Sequence, residues 1–270
     1  MSSNLDTERF RSGVEKYAAF LETFEGRLRF DLTLATLQEF LPQVSRPLCV
    51  LDLGCGTGAM AVHLAKLGHD VTLVDSSQPM LEFAESAARQ AGVRERLTLK
   101  LGDADEMSSL LPGKSFNLIL CHNVLEYVDE PGVVLGSVAG ALRDPTSIVS
   151  LLVRNQAGEV LKATIKDGDL AAAEHNLAEA WAYESLYGGK VRLFAPEGLR
   201  AILKSASLKT LAARGVRVVS DYLPSKISRE NDYQRIFELE RKAGARSDFA
   251  AIARYMHCLA HRKGTLKDGA

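Results

Sequence analysis

The segment Val50-Leu51-Asp52-Leu53-Gly54-Cys55-Gly56-Thr57-Gly58 constrains this chain more than any other. A short apolar run enters a glycine-rich turn, and the turn opens onto a helix-patterned stretch from Ala59 to Leu67. A second apolar run, Val71 to Val74, then ends in Asp75. Strand, glycine turn, helix, strand and acid in that order form the skeleton of a nucleotide-cofactor site. Glycines suit such a turn because they reach positive φ without a Cβ clash and let a ligand approach the backbone.

Two details discriminate between cofactors. Gly54, Gly56 and Ala59 satisfy the dinucleotide pattern G-x-G-x-x-G/A, a weak signal by itself. Asp52, however, lies just before the first glycine, where its charge would face a pyrophosphate seated at the helix N-terminus. An anionic strand end instead suits a ligand carrying a sulfonium and an ammonium, and S-adenosylmethionine (SAM) has both. Asp75, at the tip of the second strand, is placed to accept the hydroxyls of an adenosine ribose. It also reads as a cap for the helix that starts near Ser76-Ser77-Gln78-Pro79, and the two roles are compatible.

Beyond this segment, strands are expected at Cys49–Leu53, Asp70–Val74, Leu97–Leu101, Phe116–Cys121 and Ile148–Val153. Helices Gly58–Leu67, Pro79–Gly92 and Pro131–Arg143 lie between them, with a short turn near Asp105–Leu111. Such alternation specifies a parallel sheet covered on both faces, with its ligand outside the carboxyl ends of the strands. Upstream, Phe10, Val14, Tyr17, Leu21 and Phe24, then Leu32, Leu34, Leu37 and Leu41, recur at helical spacing. They predict two helices over the cofactor mouth, separated by Gly26, behind a polar, mobile start from Met1 to Thr7. Downstream, Asn155 to Asp169 reads as loop and short helix. Leu170 to Leu186 reads as an Ala-rich helix carrying the single Trp181 and broken by Gly188-Gly189. A helix Pro196–Ser205, a strand Leu208–Ser220, a helix from about Glu230 to Lys242 and a strand Arg254–His261 complete the chain. The last two strands form an antiparallel hairpin closing a seven-stranded sheet.

Length and charge narrow the partners. The chain has 270 residues and a formal net charge of −1. It fits one large domain whose contact with nucleic acid would come from a local patch and not a global field. Cys49, Cys55, Cys121 and Cys258 form no C-x-x-C pair, and no secretory signal or long apolar span is evident, so a reducing, cytoplasmic setting is expected. Cys55 reads as a small filler of the turn and not a nucleophile. His257 and His261 share one strand face without a third ligand, so no metal is expected.

The motif Asp52-Leu53-Gly54-Cys55-Gly56-Thr57-Gly58 resembles motif I of the class I SAM-dependent methyltransferases, and Asp75 resembles their ribose acid. Gly102-Asp103-Ala104-Asp105 resembles the segment that frames the adenine, and Phe116 to Asn123 resembles motif IV. In the back half, Gly215-Val216-Arg217-Val218, Asp221-Tyr222-Leu223, Tyr233, Glu238-Leu239-Glu240 and Arg254-Tyr255-Met256-His257 are similar to the bacterial tRNA 5-carboxymethoxyuridine methyltransferase family. His122, Leu125-Glu126-Tyr127-Val128, Asn155 and Arg29 fit the same pattern, which covers roughly Arg9 to Arg262.

That resemblance implies a class I, Rossmann-like α/β fold. It has an N-terminal helical cap over 1–45, a methyltransferase domain over 46–262 with a helical insertion at about 155–195, and a tail over 263–270. It implies SAM as cofactor, with Asp52, Gly54, Cys55 and Gly56 supplying the turn. Asp75 would take the ribose with Ser76 and Met80 beside it, Asp103 and Ala104 would lie at the adenine, and Arg29 would reach the methionine carboxylate. His122 would be a further cofactor contact. The implied reaction is methylation of the carboxylate of a modified wobble uridine in the tRNA anticodon loop, giving a methyl ester. An ionised carboxylate needs no general base, so placement of the reacting atoms would carry catalysis. A guanidinium would orient the acceptor, and Arg154 and Arg217 are the candidates. Tyr127 and Tyr222 are candidates to stack a flipped base.

Other readings share the scaffold. A small-molecule O- or N-methyltransferase is favoured by the near-neutral charge and by the mildly basic Gly188-Gly189-Lys190-Val191-Arg192. In that case His122 could serve as a base for a hydroxyl acceptor. A SAM-binding regulator without turnover is opposed by the intact set Asp52, Gly54, Gly56, Asp75 and His122, and a nicotinamide oxidoreductase by Asp52.

Overall fold

The structure, a computed structural model, describes residues 13–41, 47–184 and 186–264. The expectations for Met1–Thr7, for Phe10 and for most of the tail lie outside these residues. Nine strands are present among them: β1 (Cys49–Leu53), β2 (Asp70–Asp75), β3 (Leu97–Leu101), β4 (Leu118–His122), β5 (Ile148–Arg154), β6 (Trp181–Glu184), β7 (Gly189–Arg192), β8 (Leu208–Val216) and β9 (Tyr255–Arg262). Seven of them form one sheet in the order β3-β2-β1-β4-β5-β9-β8, parallel from β3 to β5, with β9 antiparallel to both neighbours. The chain runs outward from β1 to β3 and returns to β4 on the other side of β1. The carboxyl ends of β1 and β4 therefore flank a topological switch point.

Helices α1 (Val14–Glu22), α2 (Phe24–Phe40), α3 (Ala59–Lys66), α4 (Gln78–Gln90), α5 (Met107–Leu110), α6 (Pro131–Gly140), α7 (Gln156–Leu161), α8 (Leu170–Ala178), α9 (Pro196–Ser205) and α10 (Tyr233–Gly244) surround the sheets. Strand parity divides the core between the two sheet faces. Leu51, Leu53, Ile119, Cys121, Leu151, Val153 and Cys258 pack with Val134, Val138 and Leu203 from α6 and α9. Val50, Leu118, Leu120, Ile148 and Leu259 pack with Leu37, Ala61 and Leu64 on the opposite face. Asp52, His122, Ser150, Arg154, Tyr255 and His257 all carry the parity of that second face. The sheet's polar side chains are thus gathered beneath α2, which packs on β8 and β9.

Four elements differ from the sequence reading. The first two helices break at Thr23, whose extended backbone and side chain cap α2 by accepting from Gly26 N at 3.1 Å. Gly26 itself is buried inside α2, where a Cβ would run into the Phe20 carbonyl, so it permits a tight helix pair and does not separate the helices.

The predicted helix Leu170–Leu186 ends at Ala178. Gln156 Nε2 donates to the carbonyls of Asn176 (2.9 Å) and Glu179 (3.1 Å), taking up acceptors the helix end leaves open. Trp181-Ala182-Tyr183-Glu184 then alternates in burial and pairs antiparallel with β7, across a turn in which Gly188 and Gly189 have φ of 73° and 116°.

The predicted strand Leu208–Ser220 stops at Val216. Arg217 takes a left-handed φ of 61°, and the next three N–H groups, of Val218, Val219 and Ser220, converge on the buried Glu240 carboxylate at 2.6–2.9 Å. A side chain on α10 thus takes the donors that would have continued the ladder. Phe116, expected to open β4, makes only an isolated bridge to Leu142.

Candidate active site

The carboxyl ends of β1, β2, β4 and β5 open into a cavity of about 940 Å³, open mouth included. Of the residues expected at the cofactor, Arg29, Gly54, Gly56, Asp75, Ser76, Met80, Asp103, Ala104 and His122 line it. Asp52 and Cys55 line an adjoining cavity of about 510 Å³ that shares Arg29, Gly54 and His122 with the first. Arg154 is on the wall of the main cavity.

Arg217 lines neither cavity. It turns away into a buried ion pair with Asp221, donating from Nε at 2.8 Å, so its expected place beside the acceptor is corrected by the geometry. Of the two tyrosines expected to stack a base, Tyr127 lines the cavity and Tyr222 does not. His261 donates to the Arg262 carbonyl at 2.9 Å and is spoken for. Among the described residues no group of three His, Cys, Asp or Glu could hold a metal ion, and no helix is long and apolar enough to cross a membrane.

The turn is organised by Asp75. One carboxylate oxygen accepts from Gly56 N at 2.8 Å and the other from Ser77 N at 2.9 Å, fixing the carboxylate between the glycine loop and the start of α4. Gly54, Gly56 and Gly58 all have positive φ. A Cβ on Gly58 would come within 2.6 Å of the Ala84 Cβ, so loop and α4 pack as closely as they do only with glycine there.

Burial, with Asp75 nearby, pushes the Asp52 carboxyl up to about 7. Burial also raises Asp75 to about 6, against the opposing effect of its two N–H donors. Burial, then Asp75 and Asp52, drive the Cys55 thiol well up, which leaves it an unreactive filler. One buried and one half-buried acid with no cationic partner among their hydrogen bonds fit a cationic ligand.

Sequence reasoning missed several lining residues. Arg29 donates to Tyr17 Oη (3.1 Å) and to Asn123 Oδ1 (3.2 Å), and Asn123 Nδ2 donates to Glu126 Oε1 (2.9 Å). The same Glu126 oxygen accepts from Arg154 N at 2.9 Å, so one polar chain links α1 to the end of β5. Asn123 holds a φ of 55°, a conformation Asn tolerates better than other non-glycine residues, and that was the available signal. Tyr187, against Tyr17 and Tyr127 at 6.0 and 6.4 Å between ring centroids, lies between the segment read as helix and the Gly188-Gly189 break, where no periodicity marks it.

Comparison with known proteins agrees with this geometry. A family model described as a methyltransferase domain matches residues 25–213. The tRNA 5-carboxymethoxyuridine methyltransferase of Escherichia coli K12 is 30% identical over 253 residues, 91% of this chain and 92% of that one. The chain belongs to the class I SAM-dependent methyltransferases. A ubiquinone biosynthesis O-methyltransferase of Azorhizobium caulinodans is 33% identical, but over 40% of each chain. Among solved structures, the magnesium protoporphyrin IX methyltransferase of Synechocystis superposes with a TM-score of 0.64 at 13% identity, covering 96% of this chain and 99% of that one.

The methyltransferase carries a proton linkage at Asp52 and Asp75. Because Asp52 and Asp75 are raised above the ordinary carboxylate range, the ligand-free protein holds protons there that the unfolded chain has lost. Their contribution to stability is full below about pH 4 and is lost as pH rises through about 6 to 7. A cationic ligand favours the ionised carboxylates, so SAM binding near pH 6.5 is expected to release protons and to tighten as pH rises to neutrality. Titration calorimetry in two buffers of different ionisation enthalpy measures this directly, and equal heats in both would contradict it.

Proposed function

We propose that the acceptor is a carboxylate, that of 5-carboxymethoxyuridine at the wobble position of the tRNA anticodon loop, converted to its methyl ester. The observation that carries this reading is the electrical polarity of the cavity. Its turn end is anionic, through Asp52 and Asp75. Its β5 end borders a buried cluster in which Arg29, Arg154, Arg217 and Arg254 surround Tyr255, each guanidinium carbon within 5.6–5.9 Å of the ring centroid. Three carboxylates, Glu159, Glu184 and Asp221, pair with Arg154, Arg217 and Arg254, while Arg29 donates to the uncharged Tyr17 and Asn123. Burial opposes ionisation of the Tyr255 phenol, yet the surrounding guanidiniums prevail and bring it down to about 8. A cationic donor suits the first end and an anionic acceptor the second.

SAM supplies an electrophilic methyl group on a sulfonium. The chain's part is placement. Asp75 fixes the adenosine end, and the Arg29–Asn123–Glu126–Arg154 chain ties the donor side to the acceptor side. Arg154, anchored by Glu159 at 3.0 Å and Glu184 at 3.6 Å, presents a fixed cation to the acceptor carboxylate. Transfer would form the bond from acceptor oxygen to methyl carbon while the carbon–sulfur pair leaves with sulfur. Opposite charges would be neutralised, a change that a low-dielectric surrounding favours. A hydroxyl acceptor would need a base. His122 is a poor one, since burial and Arg29 push its imidazole down to about 3.

The test is incubation with labelled SAM and bulk tRNA lacking the terminal methyl ester, followed by nucleoside mass analysis. Label in the methyl ester of 5-carboxymethoxyuridine is expected. Label confined to small molecules from the same extract would replace this reading with the small-molecule one.

A further inference from the structure

Behind the cavity, a buried polar chain runs across three strands on the face beneath α2. His122 Nε2 is 2.8 Å from Ser150 Oγ, and Ser150 Oγ is 2.8 Å from His257 Nε2. Ser150 and His257 are fully buried, and His122 lines both cavities. The two rings meet edge to face, 5.7 Å between centroids at 89°. Burial drives both imidazoles below their ordinary value, so both are neutral and each carries one ring proton.

A serine between two neutral imidazoles couples their tautomers. Its hydroxyl has one proton to give and its hydrogen bonds are to these two rings, so that no proton is stranded only when it donates to one ring and accepts from the other. Two directions are possible, and His257 Nδ1, which is buried and has no hydrogen-bond partner, decides between them. If His122 donated to Ser150 and Ser150 to His257, then His257 would carry its proton on Nδ1, stranding a buried N–H. In the reverse direction Nδ1 is left with a bare lone pair. Stranded buried N–H groups are the rarer and costlier of the two.

We propose that Ser150 and His257 are positioning residues that lock His122 as the Nδ1–H tautomer, so that it presents a hydrogen-bond donor, and no base, to an oxygen of the bound cofactor. His257 Nε2–H donates to Ser150, Ser150 donates to His122 Nε2, and the remaining His122 proton sits on Nδ1. The assignment concerns the donor half of the site and holds whichever acceptor is methylated.

Long-range proton–nitrogen NMR correlation of the histidine side chains reads the tautomer directly, with His122 assigned by its loss in His122→Gln. The expected wild-type spectrum shows His122 protonated on Nδ1 with an acceptor-type Nε2. Proton on Nε2 overturns the proposal, and this measurement needs no buried variant to fold. In Ser150→Ala the constraint is gone, so His122 should populate both tautomers and SAM affinity should fall about tenfold. A His122 signal still wholly Nδ1–H, or affinity within twofold of wild type, would equally refute it. Since these measurements use SAM alone, absence of label in tRNA would fail the acceptor assignment and leave this one standing.

Discussion

Replacing Asp75 with alanine should weaken SAM binding by at least about a hundredfold. The carboxylate holds the turn through Gly56 N and Ser77 N and faces the cavity where a ribose would lie. Hydrogen bonds to a charged group contribute about 1.5–3 kcal/mol each, and losing two to a ribose amounts to about 3–6 kcal/mol, or two to four orders of magnitude in affinity. The same change removes a buried carboxyl that is only partly ionised near its raised value, which offsets part of the cost of freeing the two N–H groups. The folded protein should therefore survive with a modest loss of melting temperature, while affinity collapses. Calorimetry at pH 7.5 separates the two effects. Binding of SAM by Asp75→Ala within tenfold of wild type would take Asp75 out of the ribose site and leave it only as an anchor of the turn.

The contrast between Asp75 and Asn123 shows what made this site legible. Asp75 ends a periodic strand and follows a glycine turn at fixed spacing, so local pattern alone places it. Asn123 works because a left-handed backbone aims its amide between Arg29 and Glu126, and those partners lie 94 and 3 residues away. Periodicity carries no record of such a long-range pair. The same reason explains β8. Val216-Arg217-Val218-Val219 has the composition of a strand, but Glu240, some twenty residues on, takes its backbone donors. In the insertion the helix pattern of Leu170–Ala178 was read too far. The β-forming Trp181 and Tyr183 and the paired Gly188-Gly189 are the local signals of a hairpin. Strand parity is the signal that went unused. Asp52, His122, Ser150 and Arg154 occupy even positions on their strands, and that alternation alone gathers the polar groups on one face.

Access to the cavity separates the two arginines, and Arg154→Lys is expected to show it by lowering kcat/KM on tRNA at least about a hundredfold with SAM affinity within about threefold of wild type. Lysine keeps the charge but loses the fork. Arg154 uses that fork to meet Glu159 and Glu184 while presenting an edge to the cavity, a geometry one ammonium does not reproduce. A hundredfold loss corresponds to about 2.7 kcal/mol of transition-state stabilisation, the scale of one displaced charge-assisted contact. Arg154→Ala is the less informative variant, because it leaves Glu159 with Arg254 as its one remaining cation and removes the cation beside Glu184, breaking buried ion pairs at a cost of up to about 3–5 kcal/mol of stability. Arg217→Lys is the matched control. It perturbs a buried pair with Asp221 outside both cavities, so it should lower the melting temperature and leave kcat/KM of the folded enzyme near wild type. Equal losses in the two lysine variants would mean that the cationic cluster acts as one structural unit. A loss in Arg154→Lys alone would mean that this guanidinium meets the acceptor, because stability is perturbed in both variants but only one of the two side chains borders the cavity.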